Sequence, residues 1–233
     1  MFGLKARIRS FFNRSEVGKK LYRLMHAARQ VLSRRQSDSV FARKRFREAM
    51  GRELQLDEPV LFNDKLWWLK LNNRDPLLRT CTDKVTARAY VSDAGYESIL
   101  VPWYGVYGSI DEFLSEPVKE RCFLKMNNSS GHNVIWDPTR ADAERRVKST
   151  LKWAFKDDYY WKSREWNYLG IEPKIIAEKI LPTSFLADYR FLCFHGEAKV
   201  LFIDIRLTEE SGGHYLDGRR YVSRRNVYDL DFN

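Results

Sequence analysis

The chain has no apolar run of the roughly eighteen residues that cross a bilayer, and Arg7, Arg9 and Arg14 interrupt its opening stretch. This excludes a helical span and leaves no continuous apolar core for a secretory signal. Cysteine is scarce: Cys81, Cys122 and Cys193 are widely spaced and odd in number, which excludes a disulfide framework and suits reduced thiols. His26, His132, His195 and His214 are equally scattered, so the spacing writes neither a zinc site nor a Cys/His nucleophilic pair. A Walker pattern of two glycines closing on Gly-Lys-Ser/Thr is missing, as are internal repeats and low-complexity tracts.

What is present is a globular chain: 233 residues, 44% of them hydrophobic, with seven Trp and twelve Tyr, are enough apolar surface to order one large domain or two small ones. Its net charge of +10 is very unevenly placed. Residues 1–50 hold fourteen Lys/Arg against Glu16, Asp38 and Glu48, a balance of +11, while the remainder carries 27 against 28. Any argument from basicity therefore concerns the N-terminal segment and not the body.

Within that segment Leu21, Leu24, Met25, Ala28, Val31 and Leu32 recur at helical spacing, with Lys20, Arg23, Arg29, Arg34 and Arg35 mainly between them. Such a cationic amphipathic helix suits an anionic membrane surface, nucleic acid, or packing on the rest of the protein. Nucleic acid ranks last, because no reader module accompanies it and the body is not basic. Further on, helices are expected over 40–53, 62–71 (Trp67, Leu71 and Trp68 inward), 85–93, 110–114 and 141–155, the last with Ala143, Val147, Leu151 and Ala154 on one face. An extended piece is expected at 99–103, and strands on both sides of residues 127–133 and at 174–181, 189–194 and 198–205, the last two joined at His195-Gly196-Glu197. This order indicates an α+β, mixed α/β fold with an antiparallel component. The crowded Tyr159, Tyr160, Trp161, Trp166 and Tyr168 read as a binding surface or as a segment wedged on the core.

The stretch Phe123-Leu124-Lys125-Met126-Asn127-Asn128-Ser129-Ser130-Gly131-His132-Asn133-Val134-Ile135 carries most of the chemistry. An apolar strand delivers a lysine into a small polar loop, whose N–H groups and hydroxyls suit phosphate oxygens. The same residues also describe an ordinary hairpin loop. Taken alone, Glu178 is a strand residue facing solvent, with Lys179 on the opposite face. Lys84 at a helix start and Asp188 ahead of Tyr189 add a second cation and a second acid.

With these pieces in place, the chain resembles the TupA-like ATP-grasp proteins of teichuronopeptide and other surface-polysaccharide biosynthesis. The resemblance runs from about residue 55 to 233. It is carried by Phe62-Asn63-Asp64-Lys65-Leu66-Trp67-Trp68-Leu69, Asp83-Lys84 with Arg88-Tyr90-Val91, the Lys125 loop, Arg164-Glu165-Trp166 with Tyr168, Ile176-Ala177-Glu178-Lys179, Asp188-Tyr189-Arg190-Phe191 and Tyr228-Asp229-Leu230-Asp231-Phe232-Asn233. It implies two α+β lobes around a nucleotide: a basic helical extension over 1–54, then an ATP-grasp-like domain over 55–233, divided near 115 and 181. Lys84 and Lys125 match the lysines on the α- and β-phosphates, and Ser129, Ser130 and Gly131 the closing loop. Glu178 matches the hinge acid beside adenine, with the backbones of Lys179 and Ile180 at the base edge, and Asp188 the acid on the ribose. ATP and Mg2+ are the implied cofactors. The family's metal-binding carboxylates are expected past Asn233, so the C-terminal lobe is expected to be incomplete, and Asp204, Glu209, Glu210, Asp229 and Asp231 match none of them. The family's usual Asn-His-Gly-Ser-Gly loop is here Asn127-Asn128-Ser129-Ser130-Gly131.

The function implied is an ATP-dependent carboxylate–amine ligase, or related transferase, acting on a surface glycan or its precursor in the cytoplasm at the inner face of the membrane. Catalytic residues are not assigned. A non-catalytic or partner-completed nucleotide or glycan binder, and a sugar phosphotransferase, are the alternatives. A nucleic-acid-binding protein is a third.

Overall fold

The computed structural model describes residues 33–129, 131–181, 186–208, 214–216 and 219–229, together with Gly18, Leu21, Leu24, Met25 and Val31. They fall into two compact units, Met1–Glu178 and Lys179–Asn233.

In the first unit, Ser37 caps α1 (Asp38–Met50) by accepting the Val40 N–H, and Gly51 ends it in a left-handed conformation, φ 70°, with its N–H on the Arg47 carbonyl. Ala42 and Phe46 of α1 are buried with Leu54 against Leu56, and against Trp67 and Leu71 of α2 (Phe62–Asn72). Trp68 turns outward, because only the face carrying Trp67 and Leu71 meets α1. At the start of α2 the carboxylate of Asp64, 1% exposed, accepts two hydrogen bonds from Arg52, at 2.8 and 3.1 Å, and one from the Gln55 N–H at 3.2 Å. A helix α3 (Pro76–Thr82) stands between the helices expected over 62–71 and 85–93, where no element is read from the sequence. Asp75 accepts the Leu77 N–H at 2.9 Å, and Pro76 occupies a first-turn position that needs no N–H. After α4 (Thr86–Asp93) and a 3-10 turn at Glu97–Ile99, the chain enters a sheet.

That sheet has four strands in the order β1 (Trp103–Tyr107), β4 (Ile175–Lys179), β2 (Cys122–Met126), β3 (Val134–Trp136), with β1/β4 and β2/β3 antiparallel. Its inner face buries Cys122, Leu124, Met126, Ile175 and Ala177 against the stripe Ala143, Val147, Leu151 and Ala154 of α6 (Ala143–Ala154). The short α5 (Ile110–Ser115) adds Phe113, edge-on to Tyr107 and Trp136 at 5.1 and 5.2 Å. Removing Leu124, Leu151 and Phe113 wholly from water contributes roughly 2 kcal/mol or more apiece, which fixes which strand faces point inward.

Between α6 and β4 lies α7 (Tyr160–Ser163), ending at Arg164 in a left-handed conformation, φ 57°. Arg164 is wholly buried; its Nη2 donates to the carbonyls of Ser33 and Gln36, and its Cζ lies 4.8 Å from the ring centres of both Phe41 and Trp161. Ser33 Oγ donates to the Trp161 carbonyl at 2.9 Å. Tyr160 is buried and donates to Asp38, so this aromatic cluster is a wedge on the body rather than an open binding face. Gly18, Leu21, Leu24, Met25, Val31, Ser33 and Arg34 are helical. Among the described residues no helix is long and apolar enough to cross a membrane.

The second unit is an antiparallel sheet in the order β5 (Leu186–Phe194), β6 (Glu197–Thr208), β8 (Arg219–Tyr228), β7 (His214–Leu216). His195 and Gly196, both with positive φ of 52° and 82°, make the tight turn that the sequence places between β5 and β6. The strand β8 goes unread in the sequence, since Arg219, Arg220, Arg224 and Arg225 break its alternation. Antiparallel sheets with seven α-helices among the described residues make the fold α+β.

Candidate functional site

Alternation along β2 sends Cys122, Leu124 and Met126 into the core and Lys125 to the other face. The same alternation along β4 puts Ile175 and Ala177 inward, with Glu178 on the face shared with Lys125. Lys125 Nζ forms an ion pair with Glu178 Oε2, and Arg88 Nη1 lies 3.5 Å from Oε1. Glu178 is therefore not a solvent-facing strand residue: it is 6% exposed and held between two cations. Without them a carboxylate at that depth would be strongly disfavoured.

Lys84 comes to the same place from the turn between α3 and α4. Its backbone N–H donates to the Asn127 carbonyl at 3.3 Å, and its Nζ donates to the carbonyls of Asn127 and Ser129 at 3.1 and 2.8 Å. Burial, and then the charge of Lys125, hold the Lys84 ammonium below the usual lysine range, with Asp83 and Glu178 opposing. Three cations, Lys84, Arg88 and Lys125, thus gather around two carboxylates, Asp83 and Glu178. The excess of positive charge is what an anionic ligand would meet.

Asn127 ties these elements together and is wholly buried. Its Nδ2 donates to Asp83 Oδ1 and to the Glu172 carbonyl, both at 3.0 Å, and its Oδ1 accepts the Lys174 N–H at 2.7 Å. The loop beyond it is built differently. Asn128 Oδ1 and Ser129 Oγ are buried with no hydrogen-bond partner, an uncommon and costly condition for an amide and a hydroxyl. A bound phosphate would accept from the Ser129 hydroxyl, whereas Asn128 Oδ1, an acceptor, would need a ligand hydroxyl or N–H to donate to it. Gly131, φ 115°, takes a conformation that other residues rarely adopt, and open space surrounds the position its Cβ would fill. His132, also left-handed at φ 54°, places Nε2 3.0 Å from Asp157 Oδ2, the oxygen that pairs with Lys162.

The structure therefore brings Lys84, Lys125, Ser129 and Glu178 together, with Gly131 on the same loop. Ser130 lies outside the described residues, as do Glu209, Glu210 and Asp231. Lys179, Ile180 and Asp188 belong to the second unit. There Lys179 is exposed at the end of β4, and Asp188 on β5 stands in register with buried Asp204 on β6. Arg190 Nη2 reaches Asp188 at 3.7 Å and Asp204 at 3.3 Å. Among the described residues no three of His, Cys, Asp and Glu converge to hold a metal ion.

Arg88 and Asn127 are the residues that spacing did not single out. Arg88 lies four positions beyond Lys84 on a helical stretch, and that interval was the available signal. Its guanidinium also donates to the Val101 carbonyl at 2.6 Å and stacks 4.4 Å above the Trp103 ring, which fixes its direction. Asn127 carried no comparable signal, because its partners are backbone groups distant in sequence.

The chain matches the TupA-like ATP-grasp family over residues 64–232. No curated protein and no solved structure matches it.

Proposed function

Because the chain belongs to the TupA-like ATP-grasp family, we propose that it binds ATP at the Lys84–Lys125 site and uses it to join a carboxylate to an amine on a surface glycan or its precursor. In that reaction a carboxylate oxygen takes the γ-phosphoryl group, ADP leaves, and an amine then displaces phosphate from the acyl carbon, forming an amide. The observation that carries the nucleotide part is the convergence of two lysines on a loop whose buried Asn128 and Ser129 each leave a polar atom unpartnered.

The residues take the following parts. Lys84 and Lys125 hold phosphate oxygens, with Lys125 exchanging the Glu178 carboxylate for phosphate, while Arg88 keeps Glu178 aligned. Ser129, Ser130 and Gly131 cover the phosphates, since a hydroxyl and backbone N–H groups are the donors phosphate accepts best. Glu178 and the backbones of Lys179 and Ile180 serve the base, and Asp188 the ribose. ATP-grasp proteins generally use Mg2+ with ATP, and the ion neutralises charge on the transferring phosphoryl group when bound. We place the reaction in the cytoplasm, where ATP is supplied, at the inner face of the membrane, where lipid-linked glycan precursors sit.

The test is calorimetric titration with ATP, with and without magnesium, of the native chain and of Lys125→Ala. Loss of one charge-assisted contact is expected to weaken binding by about tenfold or more. If the native chain shows no saturable binding, the nucleotide site is abandoned. Equal affinity in the two proteins removes Lys125 from it. Binding without phosphate release in the presence of any carboxylate and amine acceptor would leave a nucleotide-binding protein and not a ligase.

A further inference from the structure

The helical positions ahead of α1 keep their apolar side chains in solvent: Leu21 is 48% exposed, Leu24 56%, Met25 55% and Val31 55%. At the 100° per residue of the helical spacing read in the sequence, these four positions share an arc of about 120°. The first unit does not cover it. From residue 17 to 37 the sequence carries Lys19, Lys20, Arg23, Arg29, Arg34 and Arg35 and no acidic residue. The far end of the segment is not loose, since Ser33 and Gln36 are bonded to buried Arg164 and to the Trp161 carbonyl.

We propose that this segment is an interfacial anchor whose partner is the surface of an anionic lipid bilayer, with Leu21, Leu24, Met25 and Val31 entering the acyl boundary and the flanking lysines and arginines among the lipid headgroups. Two observations select that occupant. Nucleic acid would be served by the cations alone and gives no reason for four large apolar side chains on one face. A second protein copy would bring the same dense positive charge against itself, whereas an anionic bilayer complements both the charge and the stripe. The hydrogen bonds of Ser33 and Gln36 to Arg164 join the end of the segment to the first unit, so docking would bring that unit to the bilayer. The residues involved lie apart from Lys84 and Lys125, so vesicle binding and nucleotide binding succeed or fail separately.

The experiment is co-sedimentation of the full chain with vesicles of phosphatidylcholine alone and of phosphatidylcholine mixed with phosphatidylglycerol, at low and high salt. The native chain is expected to bind the mixed vesicles, to bind pure phosphatidylcholine far more weakly, and to lose affinity as salt rises; each cation at the surface accounts for roughly a fivefold gain. The double variant Leu24→Glu, Met25→Glu changes two exposed side chains and is expected to lower binding by about a hundredfold, with an unchanged urea midpoint. Binding to mixed vesicles that this variant leaves intact would overturn insertion of the stripe. Absence of vesicle binding, or vesicle-free self-association that the variant abolishes, would overturn the membrane assignment. So would binding to duplex DNA tighter than to the mixed vesicles at the same salt.

Discussion

Replacing Asn127 by Ala tests how the candidate site is held together. The substitution removes two hydrogen bonds to backbone groups, Lys174 N–H at 2.7 Å and Glu172 carbonyl at 3.0 Å, and one to the Asp83 carboxylate at 3.0 Å. At about 1 kcal/mol for each neutral bond and about 1.5–3 for the charged one, the loss is roughly 3.5–5 kcal/mol. Water entering the small vacated space would return part of it, so a net cost of about 3 kcal/mol is expected. All seven Trp lie between positions 67 and 166, so urea unfolding followed by Trp emission reports the first unit, where Asn127 sits. With a slope of about 2 kcal/mol per molar urea, the midpoint should fall by about 1.5 M. Asn127→Asp keeps an acceptor for Lys174 but turns a second carboxylate toward Asp83, so it should be no more stable than the alanine variant. A midpoint shift corresponding to under about 1 kcal/mol for Ala, or an Asp variant close to the native chain, would refute the idea that this amide organises the site.

Two further outcomes follow from the same region. Lys84 is held below the ordinary lysine range by burial and by Lys125, so it loses its proton at a lower pH than an ordinary lysine. Because the charged form binds phosphate, ATP affinity should decline with rising pH before that range is reached, and Lys84→Arg, which stays charged, should flatten the profile; identical titration-calorimetry profiles for the two proteins would refute this. The same depression means that charged Lys84 weighs against the fold below its folded pKa, a penalty relieved as pH rises through that value. Cys122 is wholly buried, and burial pushes its thiol up to about 12, whereas Cys81 and Cys193 are exposed. Native-state alkylation read by intact mass should therefore add two labels quickly and the third only in denaturant, and three fast additions would contradict the placement of β2.

Periodicity made much of the first unit legible. The stripe Ala143, Val147, Leu151 and Ala154 is the buried face of α6, and Trp67 and Leu71 are the residues of α2 that meet α1. Lys125 followed from a strand that must turn every second residue away from its core. What escaped had physical causes. The helix α3 opens at Asp75-Pro76, a pair that reads as a turn until its capping geometry is seen. β8 is dense in arginine, and strand pairing within the second unit, not hydrophobic alternation, makes it a strand. The burial of Glu178 and Arg164 depends on partners contributed by separate segments, Arg88 and Lys125 for one and Ser33 with Gln36 for the other. Such pairings are written in three dimensions and leave no local signature.

The Arg164 contact sets a boundary for anyone shortening this protein. Its guanidinium is enclosed, Nε and Nη1 make no hydrogen bond, and the ones it does make reach back to Ser33 and Gln36. Cutting the chain after residue 37 removes those acceptors and leaves a cation in the interior with Asp38, 3.5 Å from Nε, as its remaining counter-charge. The basic leader is thus not separable at the polar residues just ahead of α1. A shortened form that keeps the body intact has to begin before Ser33, and the segment's last turn belongs to the fold while the part preceding it is available to a surface.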